Sequence, residues 1–285
     1  MKVVPFQIAK NTEEAFRVQV DQLPHLYNHL HQHPEIQLTL IKESHGTLIA
    51  GDYVGPFHAG DVFVIGGNQP HVFRNDEKFF RRRLKAVAIT IFFDETTFGE
   101  HFWMLEEMNP LQLFLKNSSG GFRMIGRKKK VLAEKLLSIA NAKGIDRLII
   151  FLEILRTLGT RKEMQPLAKP LLQRNIKSYD GNRLNKVIEF TFQEFQRRIT
   201  LKEVASLANL TPEAFCKYFK TRTRKTYINF LNEIRVNHAC RLLTEDKSIA
   251  TICYDCGFMN LSNFNRIFKK IKQMSPGEWR KVNSN

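Results

Sequence analysis

The sequence predicts an α+β chain in two unlike parts: an N-terminal all-β barrel or sandwich with a helical segment after it, and a C-terminal all-α region built as a double helix-turn-helix. Three observations predict it. Strand-length segments of alternating hydrophobicity occupy Val18 to Phe93, the period turns helical from Val131 to Leu158, and the last third contains an internal repeat.

In the first part, IQLTLI at Ile36 to Ile41, GTLIAGD at Gly46 to Asp52, GDVFVIG at Gly60 to Gly66 and the run ending IFFDE are separated by Gly, Pro, Asn and Asp turn signals. Short alternating segments at that spacing read as a small antiparallel barrel or sandwich. In the helical part, Ile145, Leu148, Ile149, Leu152, Leu155 and Leu158 form an apolar stripe with two readings: packing on the sheet of its own chain, or pairing across a twofold axis. RKEMQPLAKP, with two prolines, interrupts the pattern and starts a linker over 164–181. The expected organisation is a barrel at 1–105, a helical segment at 106–163, that linker, and the double unit at 182–285. RRR at Arg81 to Arg83 and RKKK at Arg127 to Lys130 read as solvated charge.

Composition narrows the function classes. Of 285 residues 43% are hydrophobic and 25% charged, a globular balance. The longest apolar runs, such as AVAITIFF, fall far short of the ~20 residues that cross a bilayer. MKVVPFQIAKNTEEAF lacks the apolar core of a signal peptide, so a cytoplasmic location is expected. The formal net charge is +16, and it is uneven: residues 182–285 carry 19 Lys+Arg against 9 Asp+Glu, the preceding 181 carry 25 against 19. A cationic C-terminal domain favours a polyanion, nucleic acid or an anionic membrane surface.

The repeat decides between them. ITLKEVASLANLTPEAFCKYFK laid over SIATICYDCGFMNLSNFNRIFKK superimposes Leu201 on Ile249, Val204 on Ile252 and Ala205 on Cys253. After one extra residue in the second turn, Phe215 falls on Phe264, Phe219 on Phe268 and Lys220 on Lys269. Each unit, at about 199–222 and 248–271, is a short apolar-faced helix, a tight turn and a second amphipathic helix ending in basic residues. Thr211 is placed to cap the second helix of the first unit, with Pro212 at its first position; in the second unit Gly257 frees the turn and Asn260 or Ser262 can cap the helix after it. Tyr227, Phe230, Leu231, Ile234, Ala239 and Leu242 mark a longer helix between the units. Cys253 and Cys256 have a metal or redox spacing, but zinc needs four ligands and no second pair is near, so small buried residues is the reading.

The runs IATICYDCGF, NFNRIFKK and MSPGEWR resemble the signature of the AraC/XylS family of bacterial transcription regulators, and ITLKEVASLANLTPEAFCKYFK resembles that family's first helix-turn-helix. The resemblance covers the last hundred or so residues. It implies that the second helix of each unit enters a major groove, the two in consecutive grooves of one DNA face. It directs Glu213, Cys216 and Lys217 outward on the first such helix and Leu261, Ser262, Asn263 and Arg266 on the second. Arg266 can pair its planar fork with guanine O6 and N7, and Asn263 can pair with adenine; Lys217, Lys220, Lys269 and Lys270 are expected on phosphates. Glu213 can accept from cytosine but repels phosphate.

HLHQHPEIQL at His29 to Leu38 and GDVFVIGGNQPHVFRN at Gly60 to Asn75 look like the two cupin motifs. His31 and His33 alternate and so share a face, and His71 comes from a later strand as if to converge with them. Gly60, His71 and Asn75 fit the second motif, with Gly66 and Asn68 in place of the usual Pro and Gly; in the first, Gln37 stands where a metal-binding cupin has Glu. His31, His33, Gln37 and His71 are the candidate ligand-binding residues, for a small molecule as is commoner in such regulators or for a weaker metal site.

The expected function is a sequence-specific DNA-binding transcription regulator controlled by a small-molecule effector, a sugar or related metabolite, bound in a cupin-like barrel. Double-stranded operator DNA, the effector and RNA polymerase are the expected partners, with a homodimer and without a membrane. No catalytic residue, cofactor or metal is assigned. The alternative is a metal-dependent cupin enzyme with a basic nucleic-acid-binding tail. A constitutive nucleic-acid binder has no need of a histidine-lined pocket.

Overall fold

The computed structural model describes residues 14–81, 84–160, 162–169 and 178–283. The chain divides into two compact units, Met1–Ser178 and Tyr179–Asn285.

In the first unit the strands are β1 (Arg17–Leu23), β2 (Ile36–Glu43), β3 (Gly46–Ala50), β4 (Tyr53–Phe57), β5 (Val62–Ile65), β6 (His71–Asn75), β7 (Ala86–Phe93), β8 (Phe122–Met124) and β9 (Met164–Pro166). They form a six-stranded sheet, β1-β7-β2-β5-β8-β9, and a three-stranded sheet, β4-β3-β6. The expected barrel is not closed among the described residues. The chain passes from β5 in one sheet to β6 in the other, so the architecture is a two-sheet sandwich. The helices are α1 (Glu77–Arg81), α2 (Glu100–Met104), α3 (Asn109–Asn117), α4 (Gly126–Ile139) and α5 (Gly144–Leu158).

Period-2 alternation sorts the large sheet into two buried faces. Leu38, Leu40, Val62, Val64, Ile89, Ile91 and Phe93 join Trp103, Phe114, Leu132, Leu136, Phe151, Ile154 and Leu158 in a sheet-on-helix core. The opposite face contributes Ile41, Phe63, Ile65 and Ala88 to a second core with Leu48, Ala50, Phe57 and Phe73 of the small sheet. On α5 the apolar stripe splits. Phe151, Ile154, Leu155 and Leu158 are buried, while Ile145, Ile149 and Leu152 stay exposed on the other side of the helix.

Two charged or linking stretches differ from expectation. Lys128 is buried rather than solvated, its Nζ donating to Thr160 O while its backbone N–H donates to Glu163 Oε2 at 3.0 Å. Burial lowers its pKa, against the pull of Glu163. The linker read at 164–181 is shorter. β9 pairs with β8, Leu167 and Ala168 donate to the carbonyls of Gly121 and Gly120, and helix resumes at Ser178. Residues 170–177, Arg82, Arg83 and the side chain of Arg81 lie outside the described residues.

The second unit is all helical: α6 (Ser178–Glu194), α7 (Leu201–Leu207), α8 (Pro212–Thr223), α9 (Tyr227–Leu242), α10 (Ile249–Asp255), α11 (Leu261–Lys272) and α12 (Pro276–Asn283). Local sequence accounts for the boundaries. Thr200 and Glu203 form a capping box on α7, and Thr211, Thr226, Ser248 and Asn260 each accept from a backbone N–H of the helix they precede. Arg235, buried on α9, donates to Phe195 O at 2.8 Å and Arg197 O at 2.7 Å, tying the α6–α7 connection to the central helix. Cys253 and Cys256 lie in the apolar cluster of α9, α10 and α11 with Phe264 and Phe268. Burial raises both thiols, Cys256 to about 12, so they are inert packing residues.

Gly257 turns from α10 toward α11 at φ 78°, and a Cβ there would lie 2.5 Å from Phe195 O. Gly257→Ala should therefore lower the stability of this unit by more than ~1 kcal/mol, read as a lower urea midpoint.

Candidate functional site

The repeat becomes a pair of matching surfaces. Phe215 and Phe219 on α8, and Phe264 and Phe268 on α11, are fully buried. Helical geometry then turns the intervening residues outward: Glu213, Cys216, Lys217 and Lys220 on α8 and Leu261, Ser262, Asn263, Arg266, Lys269 and Lys270 on α11 are all exposed. Arg266 Nη2 donates to Asn263 Oδ1 at 2.8 Å, one turn apart, and Asn263 N–H is capped by Asn260 Oδ1 at 2.7 Å. The two side chains best suited to base edges thus meet at the start of α11.

Sequence reasoning missed what stands beside them. Arg198, Asn229 and Asn232 line a cleft with Asn263, Arg266 and Lys270. The available signals were the Arg197-Arg198 pair just before the α7 cap and two Asn at i, i+3 on α9, opposite its apolar side. The cleft carries donors and cations, which suits phosphate and base edges.

The histidines form a second constellation, inside the sandwich. His31 and His33 lie just before β2 rather than within a regular strand. Main-chain pairing brings them to His71: His31 N donates to His71 O at 3.0 Å, His71 N to His31 O at 2.8 Å, and Asn68 N to His33 O at 2.7 Å. Asn68 adopts φ 58°, a left-handed conformation Asn tolerates, which explains how it replaces Gly in this turn. The ring centroids of His31 and His33 lie 4.2 and 5.1 Å from that of His71.

Gln37 and Thr39 point the same way as the histidines because β2 alternates, its Leu38 and Leu40 facing the helices. Gln37 Oε1 lies 3.0 Å from His33 Nε2 and 2.9 Å from His71 Nε2, Gln37 Nε2 donates to Thr39 Oγ1 at 2.8 Å, and Thr39 meets Thr90 at 3.0 Å. All of these side chains are buried. Sequence reasoning missed Glu35, which is also buried, with Oε2 3.5 Å from His33 Nδ1. Its signal was the two-residue spacing from His33. Burial lowers the pKa of His31 to about 4 and that of His71 well below the ordinary imidazole value, with neighbouring imidazoles adding to both, so both rings are neutral at pH 7.

Residues 204–282 match the family model described as a helix-turn-helix domain. The HTH-type transcriptional activator RhaS of Mannheimia succiniciproducens is 24% identical over 258 residues, 88% of this chain and 88% of that protein. The melibiose operon regulatory protein of Escherichia coli is 28% identical over 100 residues, 35% of this chain and 33% of that one. Among solved structures, ToxT from Vibrio cholerae shares 13% identity at a TM-score of 0.38, covering 95% of this chain and 100% of that one. The C-terminal domain is a helix-turn-helix domain similar to those of AraC/XylS-family regulators. The chain is accordingly a DNA-binding transcription regulator, a double helix-turn-helix unit and a sheet-rich N-terminal unit in one chain. No helix among the described residues is long and apolar enough to cross a membrane.

Two outcomes are expected. Arg266→Ala should cost ~1–3 kcal/mol on the operator and relax preference at one base pair, whereas Lys269→Ala should weaken operator and random duplexes alike and flatten the salt slope. Equal loss on both duplexes for Arg266→Ala would remove the base-reading role. For pH, the shifted histidines bind fewer protons folded than unfolded below their ordinary pKa of 6.5. Their neutral burial therefore stabilises fully above about 6.5, and that contribution is lost as pH falls toward about 4. The melting temperature of the N-terminal unit should fall over that window, and less so in His31→Gln.

Proposed function

We propose that the N-terminal sandwich senses a small effector through His31, His33, Gln37 and His71 and so controls operator binding by the C-terminal domain. The observation that carries this reading is the continuous polar chain from the histidines through Gln37 and Thr39 to Thr90, buried where a sandwich interior is ordinarily apolar. A purely structural interior gains little from such a chain, because every buried polar group must be matched to avoid a desolvation penalty. The melibiose operon relative, similar over 100 residues, supports control of an operon. That relatives along most of the chain are named transcriptional regulators favours regulation over catalysis at this site.

Contact with RNA polymerase belongs to the same reading, with no residue assigned to it. So does a homodimer. Ile145, Ile149 and Leu152, spaced i, i+4 and i+7, give α5 an exposed apolar stripe beyond the part that packs in its own core.

The test of sensing is a fluorescence titration of labelled operator with full-length protein, with and without a panel of metabolites and ions. An effector that shifts operator affinity in the wild type should shift nothing in His31→Ala, whose affinity without effector stays near wild type. An unaltered effector response in both His31→Ala and His71→Ala would leave the histidines as core. For the dimer, Ile149→Glu should convert a dimeric species to monomer in light scattering. A wild type that is already monomeric at micromolar concentration would remove the α5 pairing.

A further inference from the structure

One side chain ties the histidine cluster to the end of the first unit. Gln69, two residues before His71, is fully buried. Its Oε1 accepts from Gly66 N–H at 3.0 Å and its Nε2 donates to Gly120 O at 2.9 Å, so an N–H on one side and a carbonyl on the other fix the orientation of the amide. Its own carbonyl lies 2.8 Å from His71 Nδ1, and because a carbonyl only accepts, that ring nitrogen carries the proton. Gly120 O is a shared acceptor. Ala168 N–H reaches the same oxygen at 3.0 Å, and Leu167 N–H reaches Gly121 O at 3.1 Å. Two glycines let these parts approach so closely. A Cβ on Gly121, at φ 69°, would lie 2.7 Å from Gln69 Oε1, and one on Gly51, at φ 59°, would lie 3.3 Å from Ala168 Cβ and 3.5 Å from Gln69 Nε2.

We propose that residues 163–169 form a strap whose docking carries the state of the histidine cluster to the chain that enters the DNA-binding unit, with Gln69 as the relay. The strap meets both sheets, since β9 extends the large one and Lys169 N–H reaches Asp52 Oδ1 at 3.3 Å in the turn between β3 and β4 of the small one. Its two ends are held unequally. At the start, Glu163 accepts Ile125 N–H on its carbonyl at 3.0 Å, and the N–H groups of Arg127 and Lys128 on its carboxylate at 2.9 and 3.0 Å. At the far end a half-buried Leu167 rests on the second core, and the remaining bonds are those to Gly121, Gly120 and Asp52. Release therefore begins beside the segment leading to α6, while β8 and β9 stay paired. Docked and released forms differ by a few hydrogen bonds, which is the kind of two-state element that coupling requires. An occupant that displaces His71 displaces Gln69 with it, and so the carbonyl on which Ala168 rests.

The regulatory meaning of the strap rests on the sensing reading, whereas the mechanical link does not. Amide hydrogen exchange on full-length protein, read on peptides covering 66–73 and 162–169, tests both. Gln69→Met keeps the length of the side chain and removes its two hydrogen bonds, so it should speed exchange at Leu167 and Ala168 by about tenfold while β2 and β7 stay protected. Ala168→Pro removes a donor from the other side. Because coupling is reciprocal, it should speed exchange at the amides of Asn68, Gln69 and His71 by a similar factor, and it carries the test should Gln69→Met not fold. Wild-type exchange in 66–73 of a folded Ala168→Pro, or in 162–169 of a folded Gln69→Met, overturns the relay. With an operator duplex as the probe, exchange in both peptides of the wild type should change by about fivefold, whereas Gln69→Met should respond at the strap alone. An operator that leaves 162–169 unchanged overturns the strap even where a metabolite shifts operator affinity, since that signal then travels elsewhere. An operator response at both peptides, with no metabolite or ion altering operator affinity, supports the strap and overturns the sensing reading alone.

Discussion

The N-terminal unit depends on one constraint: the central strand β2 is buried on both faces from Ile36 to Ile41, so each of those six residues must satisfy one of two interiors. Leu38 and Leu40 are taken by the helical layer and gain the burial of large aliphatic side chains, about 1.5–3 kcal/mol each. Gln37 and Thr39 are left for the space between the sheets, where a polar group without a partner costs a comparable amount. The structure meets that cost by extending the polar set, with Thr90 on β7 below and the histidines above. A one-residue slip of β2 would reverse every assignment, so the helical core holds the polar interior in register.

In the C-terminal unit the equivalent constraint is aromatic. Phe215, Phe219, Tyr227 and Phe230 interlock at ring-centroid separations of 5.4–6.5 Å, while Phe258, Phe264 and Phe268 repeat the arrangement at 5.1 and 5.6 Å. Each cluster fixes the rotation of one outward-facing helix about its own axis. Rotation is what decides which side chains reach a base edge, since residues one position apart on a helix diverge by ~100°. Packing in the interior is in this sense the source of any specificity at the surface. Arg266 illustrates it, held toward Asn263 by a hydrogen bond within a helix that two buried phenylalanines orient.

How much of this could be read from sequence depends on where the information is local. Caps, turn glycine and helix period are local, and Thr200, Thr211, Ser248, Asn260 and Gly257 mark the double unit without any long-range knowledge. The sheet-rich first part was legible as alternation, but partner choice was not. That β5 and β6 lie in different sheets depends on pairings with distant strands, which alternation does not encode. The α5 stripe misled because a continuous apolar series drawn on one helix says nothing of where a core ends. Leu155 and Leu158 proved to be inside, Ile145 and Ile149 outside. Lys128 was read by charge alone, whereas its long stem suits burial once a carbonyl meets the ammonium group. Convergence of His31, His33, Gln37 and His71 was legible from strand parity. Glu35 shares that parity and was missed because a carboxylate is ordinarily an exposed side chain.

A ligand in the first unit can act on the second only through a difference in its affinity for two arrangements of the protein, and each tenfold difference is worth ~1.4 kcal/mol. The histidine cluster has the physical properties such a lever needs. Its members come from separate parts of the chain, His31 and His33 before β2, Gln37 on β2 and His71 at the head of β6, so an occupant that draws them together acts on both sheets at once. The main-chain pairing of His31 with His71 makes the displacement collective, because neither ring can approach far without moving the other's backbone.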